Sequence, residues 1–239
     1  GTGAASGYTV HTFTQIGSQT MVFAAPAATL SGVISGSGAL TVNASGGVLT
    51  LSGNNTFGGG TSITGGTVKT QANASALGTG AVSLANTAGT VLNSASSLSI
   101  ASLSGGGASG GNVSIDSGVT LTTGSDNTGT TFAGVISGLG GLTKAGTGTF
   151  KLTGNNTYSG TTTISAGTLQ IGDGGTSGAL GTGAVVDNGA LVFNRSDSIT
   201  ASNAISGTGT LTQAGSGTLN LTSANTYSGG TSVTAGALG

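Results

Sequence analysis

Five carboxylates, one imidazole and four permanent cations are all the charge chemistry this chain offers. They are Asp116, Asp126, Asp173, Asp187 and Asp197; His11; and Lys69, Lys144, Lys151 and Arg195, with no Glu and no Cys anywhere. A zinc cage cannot be assembled from that inventory. A calcium loop needs several carboxylates in register. The stretch "IGDGGTSG" (171–178) sets one Asp among glycines without a second copy, so it reads as a turn. Cleavage of a glycoside needs two carboxyl groups flanking the bond. Asp187 and Asp197 are the best-placed pair, with Arg195 beside them, and these three are the ligand candidates for a polysaccharide-degrading site. Arg195 and Asp197 in "FNRSDS" read equally well as a polar corner with a surface Asp–Arg pair, which is worth little. A serine-protease triad would depend on His11 as its only base. No "GDSG"-like nucleophile accompanies it, and alternation in "YTVHTFTQI" (8–16) sets His11 on the polar face of a strand. "GSGAL" and "GTGAV" are glycine-rich, but no helix follows to hold a phosphate. The expectation is a non-enzymatic chain with no metal and no cofactor.

A different chemistry is suggested by repetition. "GNNTFGG" (53–59), "GNNTYSG" (154–160) and "SANTYSG" (223–229) are near-copies. A catalytic site needs one copy, whereas a recurring phrase points to a repeating scaffold. Phe57, Tyr158 and Tyr227 hold equivalent places, preceded by Asn55, Asn156 and Asn225. Spaced aromatics could stack sugars, which is the carbohydrate-binding reading. They could instead cover the core at a wide corner, with the asparagines bonding corner backbone that must find partners. The corner reading is the expectation for all six residues.

The scaffold that would position them is legible in composition. Only 4% of the 239 residues are charged and the net charge is −1, against about 25% charged in an ordinary soluble domain. That leaves no electrostatic footprint for nucleic acid or an anionic membrane. Glycine numbers 50, but its spacing is irregular and Pro26 is the sole proline, which excludes collagen. Disorder is disfavoured by a positive mean hydropathy and by the strand-like alternation of "GTLNLTS" (217–223). No apolar run approaches the length of a membrane helix. The opening "GTGAASGYTV" lacks the basic and apolar regions of a signal peptide, so a cytosolic chain or a mature piece is expected. The absence of Cys does not fix the compartment.

Three copies of a longer repeat occupy 33–82, 135–185 and 204–239. Their anchors are Ile34, Ile136 and Ile205, at spacings of 136 − 34 = 102 and 205 − 136 = 69 along the chain. Apolar pairs such as Leu49/Leu51, Phe150/Leu152 and Leu219/Leu221 alternate with Thr, Ser and Asn, and Gly- and Asn-rich corners follow them. "ALGTGAV" recurs at 76–82 and 179–185. The pattern predicts an all-β fold, a right-handed parallel β-helix (β-solenoid) of about ten turns, with three short strands and roughly 20–25 residues per turn. At about 4.8 Å per turn this is a rod of roughly 50 Å. The copies are expected four or five turns and about three turns apart, recurring along one face. Residues 1–29 form a segment of uncertain role, the first strands or a cap, and 30–239 the β-helix. An antiparallel sandwich or jelly roll would account for the strands but not for the near-copies. Low charge fits stacking, because like charges repel along a ladder whereas Asn, Ser and Thr share hydrogen bonds with the residue above.

"GLTKAGTGTFKLTGNNTYSGTTTISAGTLQIG" (141–172) and "NAISGTGTLTQAGSGTLNLTSANTYSGGTSVTAG" (203–236) resemble the autotransporter-associated β-strand repeat of passenger domains in type V secreted proteins. The copy at 33–70 is a looser match, with "TVNASGG" where "TKAGTG" is expected; the linking segments 130–138 and 187–207 also resemble the family. Residues 1–29 do not. The resemblance implies export across the outer membrane of a Gram-negative bacterium and an extracellular or cell-surface location. It also implies a membrane β-barrel further along the precursor and not in this chain, so a fragment of a longer rod is expected. The function so implied is a structural stalk, an adhesin-like or extracellular fibre component acting by projection and self-association. The expected partners are the chain itself, laterally or end to end, or surface glycans or host matrix, and not nucleic acid. The alternative is a polysaccharide-degrading or carbohydrate-binding β-helix protein.

Overall fold

The computed structural model describes residues 13–14, 19–22 and 27–239. Every strand among them runs parallel to the strands it pairs with, and no described residue is helical. The chain winds as a coil. Leu40 pairs with Thr61, Thr61 with Val82 and Val82 with Leu103, so each coil there advances the numbering by 61 − 40 = 21. The shortest step is Phe150 to Leu169, 169 − 150 = 19, and the longest Gly105 to Phe132, 132 − 105 = 27.

Three ladders form the walls. The first wall runs from Gln19–Val22 through the leading halves of Leu40–Leu51 and Thr61–Thr70. It continues through Val82–Leu84, Leu103–Gly105, Thr130–Phe132, Thr149–Leu152, Thr168–Ile171, Ala190–Phe193 and Thr210–Gln213 to Thr231–Val233. The second takes Ala27–Leu30, the trailing halves of the same two long strands, Val91–Ser94, Asn112–Ile115 and Ile136–Gly138, and later Ile199–Ala201, Thr218–Leu221 and Ala237–Leu238. The third takes Ile34–Ser35, Leu98–Ser99, Thr120–Thr123, Gly141–Lys144, Thr162–Ile164, Val185–Asp187 and Ile205–Ser206. About ten coils result, a rod of roughly 50 Å at about 4.8 Å per coil.

Successive side chains on a strand point to opposite faces. Within Thr149–Leu152, accordingly, Phe150 and Leu152 are buried while Thr149 and Lys151 are half-buried outward. Leu, Ile, Val and Phe from all three walls fill one continuous interior. Each such side chain stabilises the coil by about 1.5–3 kcal/mol relative to exposure. No strand can bury its apolar face without the two others of its coil, so the rod forms as a stack or not at all. Within residues 1–29, Phe13–Thr14, Gln19–Val22 and Ala27–Leu30 pair with Ile34–Ser35 and both halves of Leu40–Leu51, continuing the same lattice.

One expectation is corrected. The copies do not recur along one face. Ile34 and Ile205 stand on the third wall, but Ile136 stands on the second, paired with Val113. The step from Ile34 to Ile136 is therefore four and two-thirds coils and the step from Ile136 to Ile205 three and one-third, eight coils in all. The physical reason is that a repeat asks only for an alternating strand and a corner. Each wall of the rod supplies the same parallel ladder, so the phrase fits any of them.

Candidate functional site

The asparagine–aromatic phrase sits where a wall loses its regular strand. At 54–59 and 155–159 no regular strand forms beyond a lone parallel bridge from Asn155 to Ala179, although single backbone bonds to neighbouring coils persist, such as Thr56 N–H to the Ile34 carbonyl and Thr157 N–H to that of Ile136. The asparagine side chain stands in for the missing peptide group. Asn55 Oδ1 accepts the Ile34 N–H at 2.7 Å from the coil below, and its Nδ2 donates to the Ala76 carbonyl at 2.6 Å in the coil above. Asn156 does the same with Ile136 N–H at 2.8 Å and the Ala179 carbonyl at 2.7 Å. Asn225 Oδ1 accepts the Ile205 N–H at 2.9 Å. An amide is the smallest side chain with both an acceptor and two donors, and a buried peptide group left unpaired is costly.

The aromatic two residues on turns into the rod. Phe57 is 2% exposed and Tyr158 0%; Tyr227 is half-buried against the core. Tyr158 shares a 2.7 Å hydrogen bond with Thr162 Oγ1, and Tyr227 bonds Thr231 in the same way. Phe57 has no hydroxyl, and Thr61 Oγ1 instead donates to the Leu77 carbonyl at 2.9 Å. Burial pushes the Tyr158 phenol above its ordinary value, against the opposing bonds to Thr162 and Gly181. The "ALGTG" phrase lies directly on these rings. A Cβ at Gly78 would sit 2.7 Å from the Phe57 ring, and one at Gly181 would sit 2.6 Å from the Tyr158 ring. Rings packed under backbone in this way present no face on which a sugar could stack.

The three carboxylate-site candidates are not brought together. Asp187 ends the strand Val185–Asp187 on the third wall and points inward, fully buried. Arg195 and Asp197 lie at the corner that follows the first wall. Arg195 Nε and Nη2 grip the two oxygens of Asp197 at 2.9 and 2.7 Å, and its guanidinium also donates to the carbonyls of Thr176 and Gly178. Those bonds hold Asp197 below its usual carboxylate range. The arrangement pins the glycine-rich loop 172–178. A groove of about 350 Å³ runs past Arg195 and Asp197 beside Gly181 and Thr182, and one of about 450 Å³ runs beside Gly78 and Thr79. No titratable side chain lines the second, and Asp197 is the single carboxylate in the first. Among the described residues no three His, Cys, Asp or Glu side chains converge as metal ligands. His11 lies outside the described residues.

Two interior polar residues escaped the sequence reading. Lys144 and Gln213 are buried at the inward end of "LTK" and "LTQ". Lys144 Nζ donates to the carbonyls of Ala145, Gly146 and Ala166 at 2.5, 2.8 and 3.3 Å. Gln213 Nε2 donates to those of Gly215 and Gly217, each at 2.9 Å. Both cap carbonyls that the glycine corner turns inward. Burial pulls the Lys144 ammonium below its ordinary value, with Asp126 opposing. The signal was available: alternation from Leu142 and Leu211 already sets these positions inside, where the first copy has Val42.

Against known proteins, the passenger-associated-transport-repeat family matches residues 44–69, 142–171 and 211–238. The adhesin BmaC autotransporter of Brucella suis biovar 1 (strain 1330) is 44% identical over 159 residues, 64% of this chain. The match spans 5% of that protein's length. No solved structure matches the chain.

Proposed function

We propose that this chain, an autotransporter passenger segment carrying three passenger-associated-transport repeats on a parallel β-solenoid, is a rigid, non-enzymatic spacer in a surface adhesin. It holds other parts of that protein away from the cell. What carries the reading is that the repeated residues are spent inside the rod. Asn55 and Asn156 bridge coils, Phe57 and Tyr158 fill the core, and Lys144 and Gln213 cap corners. The walls left outside are mostly Thr, Ser and Asn, with Lys69 and Lys151 among their few charges, and are suited to lateral contact between rods. Such contact would be insensitive to salt. The carbohydrate-degrading reading has no observation in its favour, since Asp187 is interior and Asp197 is held by Arg195.

The experiment uses the full-length protein on its own cells. Deleting residues 34–204 removes eight whole coils and rejoins the third wall in phase. Surface display and adherence are expected to persist, with reach shortened by about 38 Å at about 4.8 Å per coil. Adherence that is lost, and not restored by eight coils of an unrelated solenoid, would locate the ligand site in this segment and overturn the spacer reading. A full-length protein that mediates no adherence at all would overturn the adhesin reading.

A further inference from the structure

Two charged side chains lie inside the described coils, Lys144 at 1% exposure and Asp187 at 0%. They share one inward column of the third wall, in which Thr123, Lys144, Ile164 and Asp187 stack in register. Ile164 fills the rung between them, and no ion pair joins them. Their surroundings differ. The Lys144 ammonium has three carbonyl acceptors. Asp187 Oδ1 accepts one N–H, from Gly189 at 3.0 Å, and Oδ2 has no partner.

The carboxyl is sealed under bare backbone. Gly209 N–H donates to the Asp187 main-chain carbonyl at 2.7 Å. A Cβ at Gly209 would stand 2.4 Å from Oδ1 and 2.5 Å from Cγ, so only glycine closes this corner. The packed elements bring no counter-charge. Thr162–Ile164 below and Ile205–Ser206 with the 207–209 corner above hold no titratable group, and neither does Ala190–Phe193, the strand that follows. Across the core stand Ile171, Leu191 and Leu211, with neutral Gln213. Lys144, further down the column, is turned to its carbonyls. Asp173, Arg195 and Asp197 lie outside, at the corner beyond the first wall. A buried carboxylate with no cation and one short-range donor is costly, whereas a neutral carboxylic acid in the same place is cheaper and gains an O–H donor.

We propose that Asp187 makes the rod acid-stiffened: protonation of this one interior carboxyl tightens the coils at 185–189 and 205–209, and neutral surroundings loosen them. Burial pushes the group above its usual value of 3.8, against the bond from the Gly189 N–H and the lesser pull of the Leu191 N–H, which lies outside hydrogen-bonding geometry. A carboxyl raised in the folded state contributes stability that is fully present below 3.8 and lost as pH rises through the raised value. Asp197, held low by Arg195, and Asp126 work the other way. For Asp126, partial burial pushes upward but the Ser102 and Thr128 bonds outweigh it. Their contributions are lost only as pH falls below 3.8. With no Glu in the chain, Asp187 is the carboxyl among those with a shifted value whose titration changes stability between neutrality and about pH 4, and His11, common to every variant, is separated from it by the comparison with Asp187→Asn.

The test is thermal unfolding of the wild type, Asp187→Asn and Asp197→Asn at pH 7.5, 5.5 and 4.5, with residue-resolved amide exchange. The wild-type Tm is expected to rise by about 2–4 °C on acidification, and Asp197→Asn to keep that rise. Asp187→Asn should be flat, and at pH 7.5 as stable as the wild type at pH 4.5. Exchange at 185–189 and 205–209, corrected for intrinsic rates, should slow in acid while the coils around Leu49–Leu51 do not change. A wild-type Tm that falls or stays level, or an equal rise in Asp187→Asn, overturns the proposal. If Asp187→Asn does not fold, carboxyl ¹³C NMR of the wild type decides. Titration of Asp187 at or below 3.8 overturns the proposal, and titration above it supports the proposal.

Discussion

Residues 53–59 and 154–160 carry almost the same phrase and stand on different walls. In the first copy Asn55 bridges Ile34 and Ala76 along the third wall. In the second, Asn156 bridges Ile136 and Ala179 along the second wall, with bond lengths that agree within about a tenth of an ångström. The wall has changed, and the asparagine clamp has not. The clamp therefore depends on the coil directly below and the coil directly above, and on no feature peculiar to one wall. A ligand site assembled from several walls could not be moved by a third of a coil and stay intact. A corner clamp can. The third copy, back on the third wall, keeps the lower half of the clamp through Asn225 and Ile205.

That comparison can be broken most forcefully at Asn156. Asn156→Ala leaves the Ile136 N–H and the Ala179 carbonyl unpaired, at about 1–3 kcal/mol for each buried group. A loss of about 2–6 kcal/mol in urea unfolding is expected, and Asn55→Ala should match it. Asn155, the exposed neighbour in the same phrase, should cost about 1 kcal/mol or less when replaced by Ala. Equal losses at Asn155 and Asn156 would mean that the clamp is not what the second asparagine does.

Lys144 sharpens the comparison between copies two and three. Lys144→Met removes the donor from three inward carbonyls, and a loss of about 1–3 kcal/mol is expected. Lys144→Gln should fall within about 1 kcal/mol of the wild type, because Gln213 performs the same capping with a neutral amide. A charge-specific role would show as Gln being no better than Met.

The smallest effect is expected at the ring. Tyr158→Phe converts copy two to the chemistry of copy one. It removes a hydroxyl bond worth about 0.5–1.5 kcal/mol and leaves Thr162 free to seek a carbonyl, as Thr61 does with Leu77. A loss well above that range, measured by the same urea titration, would show that the two corners are not interchangeable.

Much of this was legible in the residues. Leu142, Phe150 and Leu152 announce their inward faces by period two, and the glycine and asparagine corners mark where strands stop. Asn55 and Asn156 could be assigned to corner backbone because no other use for a recurring Asn-Asn-Thr is as cheap. The wall on which each copy stands was not legible. A coil can be as short as the step from Phe150 to Leu169 or as long as that from Gly105 to Phe132. The spacing from Ile34 to Ile136 therefore does not convert into turns without the registers. Asp187 was misplaced and Lys144 passed over for a different reason. Charged side chains are normally outside, so the alternation that places both of them within was not applied to them. Arg195 and Asp197, carried as ligand candidates with a corner pair as the equal alternative, do pair at the corner, but the hold of Arg195 on the loop 172–178 runs through the carbonyls of Gly178 and Thr176, too far back along the chain to be read from the local pattern.

The chain has no cysteine, so engineered disulfides can report the rotation of copy two directly. In the structure Ser137 is the register partner of Ser114 on the second wall, at the coil spacing of about 4.8 Å, within reach of a disulfide. Were copy two on the same wall as copy one, Ser137 would instead stack on Thr122. Ser114→Cys with Ser137→Cys is expected to oxidise to a cross-linked species on non-reducing gels, and Thr122→Cys with Ser137→Cys to remain reduced. The reverse outcome would put all three copies on one face and contradict the wall-independent clamp.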